Sequence, residues 1–176
     1  MTNRFIYGRA WNDKRLVMGG TIAEAEARRR YAEGSEDDWF GVAAYADGVP
    51  DDGVPEYTLE VLPTGTFIST SFYDHLYRMR HKFMFGVQED GMLFLEDITD
   101  WTYPDDGKYV PRDECLVMTN YRYEVDGTMH WYRSDKVANL IEEADYRDMD
   151  ISTHWEPVPA FGDWASIARF DREHPA

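Results

Sequence analysis

A chain of 176 residues with 34 Asp and Glu against 18 Lys and Arg, a formal charge of −16, is poorly suited to nucleic acid or anionic membranes, which require clustered cations. Its single cysteine, Cys115, allows no internal disulfide and no cysteine-built zinc site, which fits a reducing, cytoplasmic setting. The length suits one domain, residues 1–176, able to bury roughly 70% of the surface of its unfolded chain. The longest apolar run, Trp39 to Ala46, is far below the ~20 residues of a spanning helix, and Arg4 and Arg9 precede no apolar signal core, so a soluble, unprocessed protein is expected.

Aromatics make up 15% of the chain, with 12 Tyr and 6 Trp, so strands should dominate. RFIYGRA (4–10) and KRLVMGG (14–20) read as an opening hairpin. A helix follows: Thr21 and Glu24 have capping-box spacing, the run to Ala32 is rich in Ala, Glu and Arg, and Gly34 supplies a stop. Trp39–Ala46 predicts a buried strand, 49–55 a turn-rich connector, Tyr57–Val61 an alternating strand and Phe67–Tyr73 another.

Two hairpins come next, with turns at Asp90-Gly91 and Asp126-Gly127, and residues 103–114 form the loop between them. Val137–Tyr146 reads as a helix, Ile151–Trp155 as a short strand and Asp163–Arg169 as a helix capped by Asp163. In HWEPVPAFGDW (154–164), Pro157 and Pro159 cannot serve an interior ladder. The stretch should leave the sheet after Trp155, with Trp155, Phe161 and Trp164 anchoring the tail. The class is α+β: a largely antiparallel sheet, open to strong curvature or closure into a barrel, with one helix in the N-terminal half and short C-terminal helices.

Two-residue turns would set Tyr123 opposite His130, Arg122 opposite Trp131 and Tyr121 opposite Tyr132. One face then carries Tyr121, Tyr123, His130 and Tyr132, which together with Trp155 form a candidate ligand wall. In the first hairpin the same reasoning sets Val87 opposite Phe94, Phe85 opposite Glu96 and His81 opposite Asp100. An imidazole held by a carboxylate is how a general base is oriented, making His81, Asp100 and His130 the candidate catalytic groups, although a self-satisfied structural pair is the commoner meaning.

Arg78, Arg80 and Lys82, on one face of a strand, are a candidate anion clamp, against the commoner role of surface ion pairing. Gly19-Gly20 before the helix is a weaker anion seat. Cys115, beside Asp113 and Glu114 and before Leu116, reads as core rather than nucleophile. His75 and His81 lie ~20 Å apart on an extended strand and there is no HExxH, so no metal is expected, although His81, His130, His154 and Asp100 could assemble a site across strands; with no GxGxxG and no phosphate loop, no cofactor is expected either.

Two functional readings stand. The first is a non-catalytic acidic protein that recognises or neutralises a basic protein partner, as immunity, antitoxin and counter-defence proteins do; that analogy rests on size, charge and missing motifs. The alternative is a small-molecule enzyme or ligand carrier with the aromatic wall as its pocket and the His/Asp groups as its polar site.

Overall fold

The computed structural model describes residues 4–12, 15–50 and 53–170. In chain order its elements are β1 (Arg4–Gly8), β2 (Ala10–Asn12), β3 (Val17–Gly19), α1 (Glu24–Glu33), β4 (Phe40–Tyr45), β5 (Tyr57–Val61), β6 (Phe67–Tyr73), β7 (Met79–Val87), β8 (Met92–Thr102), β9 (Val117–Tyr123), β10 (Met129–Asp135), β11 (Leu140–Tyr146) and β12 (Trp155–Pro157). The main sheet runs β1-β4-β5-β6-β7-β8-β9-β10-β11, entirely antiparallel, and β1 and β11 do not pair to close it into a barrel. β8 shares one of its edges between two partners: Asp97–Thr102 pairs with β9, and Met92–Phe94 pairs with β12. No helix among the described residues is long and apolar enough to cross a membrane.

Alternation sorts the sheet into two faces. One is covered by α1 and the C-terminal tail, and its core joins Phe40, Leu59, Ile68, Phe83 and Ile98 to Trp164 of the tail. On the other, the β2–β3 hairpin covers β4 through Met18, Trp11, Ala43 and Tyr45, and the loop after β8 packs Tyr103 and Cys115 onto Met79 and Trp101. β4 is therefore enclosed from both sides, which is why its run FGVAAY is buried at every position.

The helix forms as the sequence predicts, but without the Thr21 capping box. Ala23 is the N-cap, and Ile22 instead donates its N–H to the Tyr7 carbonyl, holding the entry extended along β1. The expected opening hairpin is realised only as β2–β3, with Trp11 opposite Met18. Residues 4–8 pair with β4 instead, where Phe5 and Tyr7 reach the core.

Three C-terminal expectations are corrected. Residues 137–146 contain an edge strand, not a helix. Asn139 at φ 51° and the Ala138 N–H bond to Asp135 Oδ1 make a tight turn, after which Arg133–Glu142 and His130–Asp145 pairs form across the ladder. Tertiary pairing overrides the helix propensity of a segment with no buried stripe. Residues 152–154 form a single 3-10 turn, and the strand starts at Trp155, so the chain joins the sheet there instead of leaving it. Pro157 is tolerated because it ends that short strand.

Asp163–Arg169 makes turns in place of a helix. One Ala168 N–H to Trp164 C=O bond is present, but the Ile167 carbonyl is taken by Thr70 of β6. The anchoring role of this stretch is clear. Trp164 is 0% exposed, Phe161 stacks on Tyr7 at 5.3 Å, Trp155 packs on Phe94 at 4.9 Å, and Tyr31 Oη donates to the Pro159 carbonyl at 2.7 Å.

Candidate functional site

Hairpin register decides which side chains can meet. In both Asp-Gly hairpins the loop has three residues, closed by Gly91 N–H to Gln88 C=O and by Gly127 N–H to Glu124 C=O, with the glycines at φ 80° and 82°. Each Asp side chain accepts the N–H two residues on, Met92 and Thr128, which favours this loop over a two-residue turn. Both ladders therefore start one residue away from the expected register.

In the first hairpin Val87 faces Leu93 and Phe85 faces Leu95. Glu96 then bulges out of the ladder, and Phe83–Ile98 and His81–Asp100 pair as expected. The second hairpin has no bulge, so the slip persists: Tyr123 faces Met129, Tyr121 faces Trp131 and Arg122 faces His130. His130 and Tyr132 thus lie on the face opposite Tyr121 and Tyr123, and the expected aromatic wall is split between the two sides of the sheet.

The candidate groups consequently do not converge. His81 Nδ1 and Asp100 Oδ1 are 2.7 Å apart at the rim of the covered face, where the Phe170 ring packs edge-on to the imidazole at 4.7 Å. His130 makes an equally short bond to Asp145, but on the other face and exposed. Tyr123 is buried and Tyr121 partly so, and burial raises both phenols above their ordinary value.

Arg78 lies in a clasp, donating to Asp74 Oδ2 and the Pro104 carbonyl at 2.8 Å each. Arg80 sits at a bulge against β6, and Lys82 bonds Glu60 at 3.0 Å. The three cations share no clamp, because the bulge breaks the alternation and two of them are already matched to carboxylates. Cys115 is buried, and that burial pushes its thiol up. Gly19 and Gly20 line a broad depression of about 840 Å³ with Arg9 and Arg30, the latter bonded to Glu26.

The uncovered part of the second face holds what the sequence did not reveal. Glu60, Ser69 and Lys82 form one bonded group there. Burial raises the Glu60 carboxyl, but Lys82, Ser69 and the nearby Arg112 more than offset this, so it lies below the ordinary carboxylate value. Next along the face, Asp97 is 8% exposed and accepts from Asn120 Nδ2 at 2.7 Å and Thr99 Oγ1 at 2.9 Å, both neutral donors; Arg122 Nε stands 3.9 Å away.

Where β8 changes partner from β9 to β12, a cleft of about 420 Å³ opens, lined by Phe94, Glu96, Asp97, Arg122, Tyr123 and Glu124, with Met84 and Gln88 at its side. The bulge places Glu96 over Gly86, where any side chain would collide with the Glu96 carboxylate, and Gln88 Nε2 donates to Glu96 Oε1 at 3.0 Å. Glu96 and Asp97, adjacent in sequence, share a face only because of that bulge. The cleft thus sets three carboxylates against one guanidinium, beside the apolar side chains of Met84 and Val125, whereas Phe94 and Tyr123, 1% and 3% exposed, are closed off from solvent. Such a site suits a cation with an apolar stem, which is the chemistry of a lysine or arginine side chain.

Neither His81 nor His130 lines this cleft or the depression beside Gly19. Among the described residues no three His, Cys, Asp or Glu side chains are grouped to hold a metal ion. Comparison with protein families, curated proteins and solved structures finds no match to this chain.

Proposed function

We propose that this is a non-catalytic binding protein of the cytoplasm that recognises, and by occupying it neutralises, a basic protein partner, in the manner of immunity, antitoxin or counter-defence proteins. The observation that carries this reading is the carboxylate cleft of Glu96, Asp97 and Glu124 on the uncovered face of a chain with net charge −16. A field of this sign speeds encounter with a cationic partner, and Met84 and Val125 give an inserted side chain apolar contact.

Calorimetric titration with an amidated peptide rich in Lys and Arg tests the reading. Binding should weaken steeply as salt rises, and Glu96→Gln with Glu124→Gln should weaken it further. Affinity indifferent to both changes would sink the proposal.

A second reading, a small-molecule enzyme or carrier, is supported by the 2.7 Å His81–Asp100 bond. It requires Phe170 to move off the imidazole. It is tested by whether any metabolite shifts the His81 ring resonances while leaving those of His130 unchanged.

A further inference from the structure

The two outer edges of the main sheet are β1 and β11. At β1 the edge is taken up in part, since Ile22 donates its N–H to the Tyr7 carbonyl at 3.0 Å and bridges that residue. At β11 no strand among the described residues pairs on the outer side. The strand is seven residues long, LIEEADY, without Pro or Gly, and its register against β10 runs uninterrupted from Leu140 to Tyr146. Edges of this kind are normally blunted by bulges, prolines or lysines, because their unpaired N–H and C=O groups are a template for another strand. Here the only guard is charge, and all of it is negative.

The register shows what that charge selects. Leu140, Glu142, Ala144 and Tyr146 lie on the face of Trp131, whereas Ile141, Glu143 and Asp145 lie on the face of His130. On the first side Glu142 is already matched by Arg133 at 2.8 Å, so Leu140 and Tyr146, the latter 46% exposed, leave an apolar row. On the second, Glu143 and Asp145 present carboxylates, one of them bonded to His130, beside Ile141 at 66% exposure. A strand laid along this edge gains most if it alternates apolar and basic residues. A second copy of this chain fits poorly: pairing about the middle of the strand sets Glu143 against its own counterpart and brings two charges of −16 together.

We infer that β11 takes up an extended, alternating basic–apolar segment of the partner as a further antiparallel or parallel strand. Main-chain bonds supply the attachment, and Glu143 and Asp145 supply the choice of sign. The inference rests on the basic-partner reading and adds a second point of attachment, on a different element from the Glu96 cleft.

The test uses the full-length, ¹⁵N-labelled protein and three capped octapeptides: alternating Lys-Val, its block isomer of four Lys then four Val, and the alternating peptide N-methylated along one edge. The expected result is that the alternating peptide perturbs and protects the amides of 140–146 and binds at least about tenfold more tightly than the other two. Glu143→Lys with Asp145→Lys, both exposed, should lower that affinity by about tenfold or more at unchanged melting temperature. Equal binding of the alternating and block peptides, with perturbations confined to Glu96, Asp97 and Glu124, overturns the edge proposal while the basic-partner reading survives. Failure of every basic peptide to bind at low salt overturns both. Self-association of the unliganded protein through 140–146 overturns the edge proposal.

Discussion

The two faces of the sheet draw on the same strands and differ in what they do with each alternate residue. On the covered face, rings and aliphatic chains from β4 to β8 close against α1 and a tail whose Trp164 and Ile167 are wholly buried. On the open face, Glu60, Lys82, Asp97, Thr99 and Asn120 satisfy one another through hydrogen bonds and leave a cleft. The two His–Asp pairs show the contrast with the chemistry held constant. Both bonds measure 2.7 Å, yet His81 is roofed by Phe170 while His130 and Asp145 stand in solvent. Stability should therefore reside chiefly on the first face, and the capture proposed for the Glu96 cleft draws on the second.

That division can be broken most decisively at Trp164. Trp164→Ala should cost about 3–5 kcal/mol in chemical denaturation, the loss expected for a fully buried ring; a value near zero would mean that the tail is not a structural cover.

Arg78→Ala probes a closed part of the open face. It strands the Asp74 carboxylate and should cost about 2–4 kcal/mol. Burial raises the Asp74 carboxyl, but bonds from Arg78 and from the backbone N–H groups of Arg78 and Leu76 bring it below its ordinary value, and Glu60 is lowered as well. Their contribution is then present above about pH 4 and lost as pH falls through the folded values, so melting temperature should drop in acid, less steeply in the Arg78→Ala variant.

A smaller effect is due in base. Burial raises Tyr103 and Tyr123, so their contribution holds up to about pH 10 and declines beyond it, and Tyr123→Phe should reduce the alkaline loss seen in melting curves.

Least of all should be felt at the cleft, where Glu96→Gln and Glu124→Gln are expected to change stability by no more than about 0.5 kcal/mol while weakening capture of a basic peptide. If they destabilise the fold as Trp164→Ala does, the division between the faces is gone.

Much of the fold was legible because it rests on local signals: the α1 composition, the buried run of β4, the alternation of β5, and two Asp-Gly turns that locate four strands. What escaped was non-local. Nothing in 137–146 announces that Arg133 and His130 will pull it into a strand, and nothing in 4–10 announces that β4 is the better partner. The site was lost through register. A third loop residue at each turn shifted both ladders by one, which dispersed Tyr121, Tyr123, Tyr132 and His130, while the bulge restored His81 opposite Asp100. Arg78, Arg80 and Lys82 were separated by a second bulge, against β6. Trp155, Phe161 and Trp164 could be read as anchors because prolines and large rings near a chain end have few other uses.

Glu96 has one more property. It is counted by none of the three partners of β8: β7 passes from Leu95 to Asp97, β12 ends at Phe94 and β9 begins at Asp97. Loss of codon 96 would therefore turn no other side chain over. The span of β8 between its β12 and β9 partners would lose its bulge and, with it, one carboxylate of the cleft. In hereditary terms one in-frame step at this position would add or remove a carboxylate of the cleft with the ladder's alternation intact.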